Sequence, residues 1–197
     1  MNNSLEKDIF DYLSANLSDK RFDHSLNVAN LAVELAKKNN VDIAKAQIAG
    51  LLHDCAKCTP SLDWIKFFKD KKKPSKYFKE ISLFCPPLLH SFAGEIIAKE
   101  NFKIKDKDIL NAIKNHTLAR ENMSKLEKLV FVADATSIDR KFKNVSFFRK
   151  LAKKDIENAF LKLLTIKIKH NLERDTWICP QSITSWNWYI SKLSNKS

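Results

Sequence analysis

The stretch Asp23-His24-Ser25-Leu26-Asn27-Val28-Ala29-Asn30-Leu31-Ala32-Val33-Glu34-Leu35-Ala36-Lys37-Lys38 decides the fold class. His24 is followed by Val28, Leu31 and Leu35 at steps of four, three and four, the spacing that lines one face of a helix. The stretch therefore predicts a helix over 23–38 with His24 on the face it buries. The same spacing recurs along almost the whole chain, and no sustained alternation of apolar and polar residues marks a strand. The predicted fold is all-α, a helical bundle.

Outward from this stretch, Asn3 and Glu6 form a capping pattern for a first helix through about Leu17, with Ser18 and Asp19 closing it. A third helix is predicted from Asp42 to about Lys57, stopped by Thr59-Pro60. Residues 61–84, with the basic run Lys69 to Lys73 and Pro74, read as short helices and loops. Pro86 and Pro87 suit the start of a helix through about Asn101, and Asp106 caps another to His116. Ser124 and Glu127 make a capping box for a helix through Ala135, and residues 146–173 are again helical. From Trp177 to Tyr189 the chain is aromatic-rich and punctuated by Pro180. Residues 1–197 are read as a single domain, with 174–197 a tail packed back on it; Trp186 and Trp188 are assigned to that packing.

Composition bounds the function. With 44% hydrophobic and 29% charged residues the chain is globular. Its longest apolar runs, 48–52 and 129–133, are far short of the roughly 20 residues of a membrane span. The polar start, Met1 to Asp8, lacks a secretory pattern, so a cytoplasmic location is expected. The four cysteines are then expected to be reduced, and the lone pair Cys55 and Cys58 to be buried and structural. The net charge is +12, carried by thirty lysines and only five arginines. That balance describes a solvated surface better than a nucleic-acid stripe, so no nucleic-acid partner is expected. The two glycines, Gly50 and Gly94, cannot make a P-loop or a dinucleotide fingerprint. Any phosphate must be held by metals and cationic side chains.

Four of the five histidines fall on apolar stripes. His53 continues the face of Ala46 and Gly50, His90 that of Gly94 and Ile97, and His116 that of Ile109 and Ala112. His170, among Lys167, Lys169 and Arg174 near a helix end, reads as surface. One inward histidine is ordinary core; four with His24 are costly to bury unless a shared partner takes their lone pairs, and a metal does so at once. Asp54 directly follows His53, and Asp134 follows the apolar run Leu129 to Ala133, where an unpaired carboxylate is expensive. Ala46, Ala49 and Gly50 allow close helix approach around these donors.

Five blocks, in order and spacing, resemble one family: Arg21-Phe22-Asp23-His24-Ser25, Ala49 through Lys57, Leu88-Leu89-His90, Ala112 through Thr117, and Met123 through Lys128 leading to Ala133-Asp134. The chain resembles the HD-domain superfamily and, within it, the bacterial YqeK-like symmetrical diadenosine tetraphosphate hydrolases, from about Arg21 to Asn187. The resemblance implies an HD-type bundle with the metal site in its core, and His24, His53, Asp54 and Asp134 as metal ligands. It implies that His90 and His116 serve a second metal or its bridging water. The implied cofactor is one or two divalent or mixed-valence ions, with iron favoured; the donor types also admit manganese, cobalt or zinc. The implied reaction cleaves a dinucleoside polyphosphate, diadenosine tetraphosphate, to two ADP. Asp54 and Lys57 are the candidate catalytic residues, and Arg21, Lys57 and Arg140 are the candidates for positive charge around the phosphates, Lys57 foremost because it lies one turn from His53 and Asp54. Two positions depart from the family pattern: Ser137 stands where an acidic residue is expected, and Ala119 where a glycine is expected. Both bear on substrate preference. The alternatives are an HD-type phosphohydrolase of another nucleotide and a non-enzymatic RNA- or ribosome-associated module. A homodimer formed through the aromatic C-terminus is a further expectation.

Overall fold

A computed structural model of the chain describes residues 3–70 and 74–194. Among these residues there are eleven α-helices and no strand. They are α1 (Asn3–Asn16), α2 (Asp19–Asn39), α3 (Ile43–Leu52), α4 (Ser61–Asp70), α5 (Phe78–Phe84), α6 (Leu89–Glu100), α7 (Lys107–Asn115), α8 (Lys125–Thr136), α9 (Val145–Lys154), α10 (Ile156–Glu173) and α11 (Pro180–Ser194). A 3-10 turn, Pro86–Leu88, leads into α6. Two sequence features fall wholly or partly outside the described residues: the Asn3 side chain of the first capping pattern, and 71–73 of the Lys69 to Lys73 run.

Helix α8 is the axis of the bundle. Every residue from Leu126 to Asp134 is buried, as expected of a helix enclosed on all sides. It packs against α2, α3, α7, α9 and α10. Its start is fixed by the capping box that the sequence predicts: Ser124 Oγ accepts from Glu127 N, and the Glu127 carboxylate accepts from Ser124 N. Glu127 is fully buried and is matched by Arg120, which donates from both Nε and Nη2, and by Asn115 Nδ2 at 3.1 Å.

Helices α2 and α3 form the tightest pair, and the small residues explain it. A Cβ on Gly50 would lie 2.7 Å from Ala29 Cα, inside any real contact, so the two backbones touch there only because the side chain is missing. Gly94 does a milder service between α6 and α7, where a Cβ would stand 3.1 Å from Ile113 Cγ2.

Several boundaries differ from expectation. Ser18 and Asp19 open α2 rather than close α1, since Arg21 N and Phe22 N already bond back to Ser18 O. Helix α3 stops at Leu52; beyond it the chain tightens into i→i+3 bonds, Cys55 N to Leu52 O and Lys57 N to Asp54 O. His53 and Asp54 thus project from a helix end, and Cys58 is carried to the surface while Cys55 is buried, so only one of that pair is a core residue. The predicted helix from Pro86 begins as the 3-10 turn. The long 146–173 helix is broken at Asp155, whose side chain caps α10 by accepting from Asn158 N.

Helix α11 lies on α10 and clamps the loop after α7. Gln181 Nε2 and Ser182 Oγ donate to the carbonyls of Ala119 and Leu118, and Tyr189 Oη accepts from Met123 N at 2.8 Å. Trp186 Nε1 donates to Thr165 Oγ1 and Trp188 meets Tyr189 edge-on, so both rings pack on the bundle.

Candidate metal centre

Three of the four inward histidines use one local device. The Nδ1 of His53 donates to Gly50 O, that of His90 to Pro87 O and that of His116 to Ile113 O, each a carbonyl three residues earlier. His24 reaches the same state by a long-range contact, its Nδ1 lying 2.8 Å from Asp139 Oδ2. With Nδ1 carrying the proton, each ring turns a bare Nε2 lone pair toward a common centre.

The six donors anticipated from the sequence all meet there. Asp54 Oδ1 lies 3.2 Å from His90 Nε2 and 3.4 Å from His116 Nε2; its Oδ2 lies 3.6 Å from His53 Nε2 and 4.0 Å from His24 Nε2. Asp134 Oδ1 lies 3.2 Å from His24 Nε2 and 3.9 Å from His53 Nε2. Two overlapping triads, His24, His53 and Asp134, and His53, Asp54 and His116, each hold their ligand atoms within 4.8 Å of one another. His53 Nε2 and Asp54 Oδ1 are buried and have no hydrogen-bond partner. Lone pairs face lone pairs across a space shielded from water, an arrangement that only a cation relieves. The residues present therefore fit a divalent metal.

The electrostatics are those of a site held ready. Burial pushes the His53 imidazole down to about 4, so it is neutral near pH 7, and burial likewise lowers His90. Burial lowers His24 too, but Asp134 and Asp139 outweigh it and raise that ring. Burial alone would raise Asp54 and Asp134; for Asp54 the surrounding histidines, and for Asp134 His24 with Lys167, His53 and Arg140, hold the carboxyls well below the usual range.

The three cations anticipated around the phosphates all pair with the site's carboxylates. Lys57 Nζ lies 3.0 Å and Arg21 Nη1 3.2 Å from Asp54 Oδ2, and Arg140 Nη2 lies 2.5 Å from Asp134 Oδ1. Asp139 and Lys167 escaped the sequence reading. Asp139 sits only five residues after Asp134, but its partner His24 is 115 residues away, and no local pattern joins them. Lys167 looked like one more lysine of a solvated helix. The two departures also take shape. Ser137 turns its hydroxyl to Asp134 O, and the nearby carboxylate comes from Asp139 instead. Ala119 is buried at φ 59, the left-handed region that favours glycine, at a cost of about 1 kcal/mol for an alanine.

Residues 21–139 match the family model described as HD domain. The symmetrical bis(5'-nucleosyl)-tetraphosphatase of Bacillus subtilis is 31% identical over 175 residues, 89% of this chain and 92% of that protein. The protein of the same description from Halalkalibacterium halodurans is 33% identical, covering 87% and 89%. A crystal structure from Clostridium acetobutylicum, described as a predicted HD superfamily hydrolase involved in NAD metabolism, superposes with a TM-score of 0.89 at 40% identity, covering 95% of this chain and 97% of that one. From the buried histidine and aspartate cluster, the all-helical bundle around it and a family match that spans both, this chain belongs to the HD domain family.

Proposed function

We propose that this chain is a metal-dependent hydrolase that cleaves diadenosine tetraphosphate symmetrically to two ADP, with iron as the metal. The observation that carries the reading is the buried set of four Nε2 lone pairs and two carboxylates with no proton to share among His53 Nε2 and Asp54 Oδ1. The substrate is taken from the two tetraphosphatases, each aligned over most of its length.

The donors that would hold one or two ions fall in two groups about the oxygens of Asp54. Oδ2 faces His24 and His53, and Oδ1 faces His90 and His116, with Asp134 on the first side. Bound metal would supply a water acidic enough to ionise near neutral pH and positive charge for the phosphoryl oxygens. The chain's own residues do the rest. The Nδ1 bonds fix the aim of the imidazoles. Lys57, a quarter exposed and paired with Asp54 Oδ2, is assigned to a phosphate oxygen of the substrate. Arg21, paired with Asp54, and Arg140, paired with Asp134, add to the field that draws in a polyanion.

The test is elemental analysis of the purified protein joined to product chromatography with diadenosine tetraphosphate, for the wild type and Asp54→Ala. Bound iron with ADP as sole product, both lost in the variant, is the expected result. Preferential turnover of a nucleoside monophosphate, a cyclic dinucleotide or guanosine tetraphosphate would replace the substrate while keeping the metal chemistry. Absence of bound metal would overturn the reading.

A further inference from the structure

Helix α8 ends at Thr136, and the turn that follows it, residues 137–140, carries Asp139 to the Nδ1 of His24. Burial does not hold this turn in place: Ile138 at its tip is 75% exposed, and the Asp139 side chain is 37% exposed. Polar contacts hold it instead. A helix leaves its last carbonyls without intrahelical donors, and here two arginines supply them. Arg140 Nε donates to Asp134 O at 2.9 Å, while Arg140 N closes the turn on Ser137 O at 2.9 Å. Arg149, reaching across from α9, makes the wider grip. Its Nε donates to Thr136 O at 2.5 Å, and its Nη2 donates to Ser137 O at 2.7 Å and to Arg140 O at 3.3 Å.

The last two of these carbonyls bracket Asp139, one two residues before it and one directly after. A single planar guanidinium therefore ties both sides of the turn to the end of α8, which the lone ammonium of a lysine could not do. Arg149 is half-buried, and among the described residues its hydrogen-bond partners are carbonyls rather than a carboxylate. Its charge is favoured at the C-terminal end of a helix. Phe148 and Ala152 already bury the apolar face of α9, so the packing of that helix does not call for the guanidinium. Arg149 makes no hydrogen bond to any of the six donors of the centre; its reach toward them runs through the turn alone.

We propose that Arg149 is a positioning residue for the metal centre: by fixing the 136–140 turn it keeps the Asp139 carboxylate on His24 Nδ1, and so leaves the His24 Nε2 lone pair aimed at an ion. The role presupposes the metal reading of the centre. Asp139 lies on an exposed turn and can orient the ring only while its own backbone is held, which is what the three carbonyl contacts do.

The test is chelator competition for ferrous ion with wild type, Arg149→Met, Arg149→Lys, Asp139→Ala and the double variant of Arg149→Met with Asp139→Ala, each checked for folding by its urea midpoint. Arg149→Met is expected to bind the ion about tenfold more weakly, the lower end of the effect of losing a partner that orients a ligating imidazole. Arg149→Lys, which keeps the charge but not the fork, is expected to fall between Arg149→Met and wild type. In the Asp139→Ala background Arg149→Met is expected to add less than about twofold, because the carboxylate it positions is gone. A mere staple of α9 would lower the urea midpoint with affinity unchanged, or weaken affinity equally in both backgrounds; either result would overturn the proposal. The His24 ring gives a reading that needs no ion. At alkaline pH, where the imidazole is neutral, the ring 15N signals of metal-free wild type are expected to mark Nδ1 as the protonated nitrogen, and those of Arg149→Met to average toward both tautomers. That change in a protein that takes up no ferrous ion would keep the positioning role and reject the metal reading. A wild type that binds the ion, with His24 signals and affinity indifferent to Arg149, would do the reverse.

Discussion

His53 is neutral and enclosed at neutral pH, and that has a consequence for acid stability. Its folded value of about 4 lies below the unfolded imidazole value of about 6.5, so between those limits the unfolded chain binds more protons and stability falls as pH falls. From pH 7 to pH 5 this one ring costs the metal-free protein about 2 kcal/mol. His90, lowered by burial, adds to the loss, and His24, raised by its carboxylates, offsets part of it. Urea midpoints of metal-free protein at the two pH values are expected to drop accordingly; an unchanged midpoint would mean that the ring is not held neutral. Asp139 makes a separate prediction. Its carboxylate orients His24, and removing such a partner of a ligating imidazole typically lowers metal affinity 10–100-fold, so Asp139→Ala is expected to lose metal to a chelator at correspondingly lower concentration. The inward direction of His24, His53, His90 and His116 was legible because each sits on a periodic apolar stripe, and periodicity is a local property. The roles of Asp139 and Lys167 were not, because each is defined by a partner on a distant helix.

Helix ends were legible where a side chain closes them. Asp106 caps α7 by accepting from Asp108 N and Ile109 N, and Ser124 with Glu127 caps α8, both as the spacing predicts. The end of α3 was not, because Leu52, His53, Asp54 and Cys55 carry no terminating residue. The chain leaves the helix there while His53 holds the Gly50 carbonyl and tertiary contacts aim Asp54 inward. Two substitutions test the elements themselves. Gly50→Ala places a methyl against the Ala29 backbone and must part α2 from α3, a loss of about 1–3 kcal/mol, readable as a lower thermal midpoint with reduced metal content, since His53 moves with α3. Arg120→Ala strips the fully buried Glu127 of its bidentate partner; leaving a buried carboxylate in that state costs about 3 kcal/mol or more, and Arg120→Lys is expected to recover only part of it because one ammonium cannot reproduce the two-pronged contact. A midpoint for Arg120→Ala equal to wild type would show that Asn115 and the Ser124 amide suffice.

The molecule as a whole gathers its donors from five regions: α2, the turn after α3, the start of α6, the end of α7, and α8. Metal is thus expected to stabilise the entire bundle. Saturation at about 100 times the dissociation constant adds about 2.7 kcal/mol, and a chelator should lower the melting temperature of the wild type far more than that of Asp54→Ala. Equal chelator shifts in both proteins would place the bound metal elsewhere. The bundle class was readable from the chain because helical spacing is continuous, whereas the groove that brings Asp134 and Arg140 beside α10 and the end of α5 depends on packing that no local pattern encodes. Gly50 to His53, Pro87 to His90 and Ile113 to His116 are four-residue cassettes, each complete in itself, in which a backbone oxygen sets the attitude of a ring. Orientation is thereby separated from position: the cassettes give the first, and the meeting of the helices gives only the second. Any segment that forms one of these turns carries an aimed ring whether or not its partner helices are in place, so an error in helix packing would displace the rings without turning them.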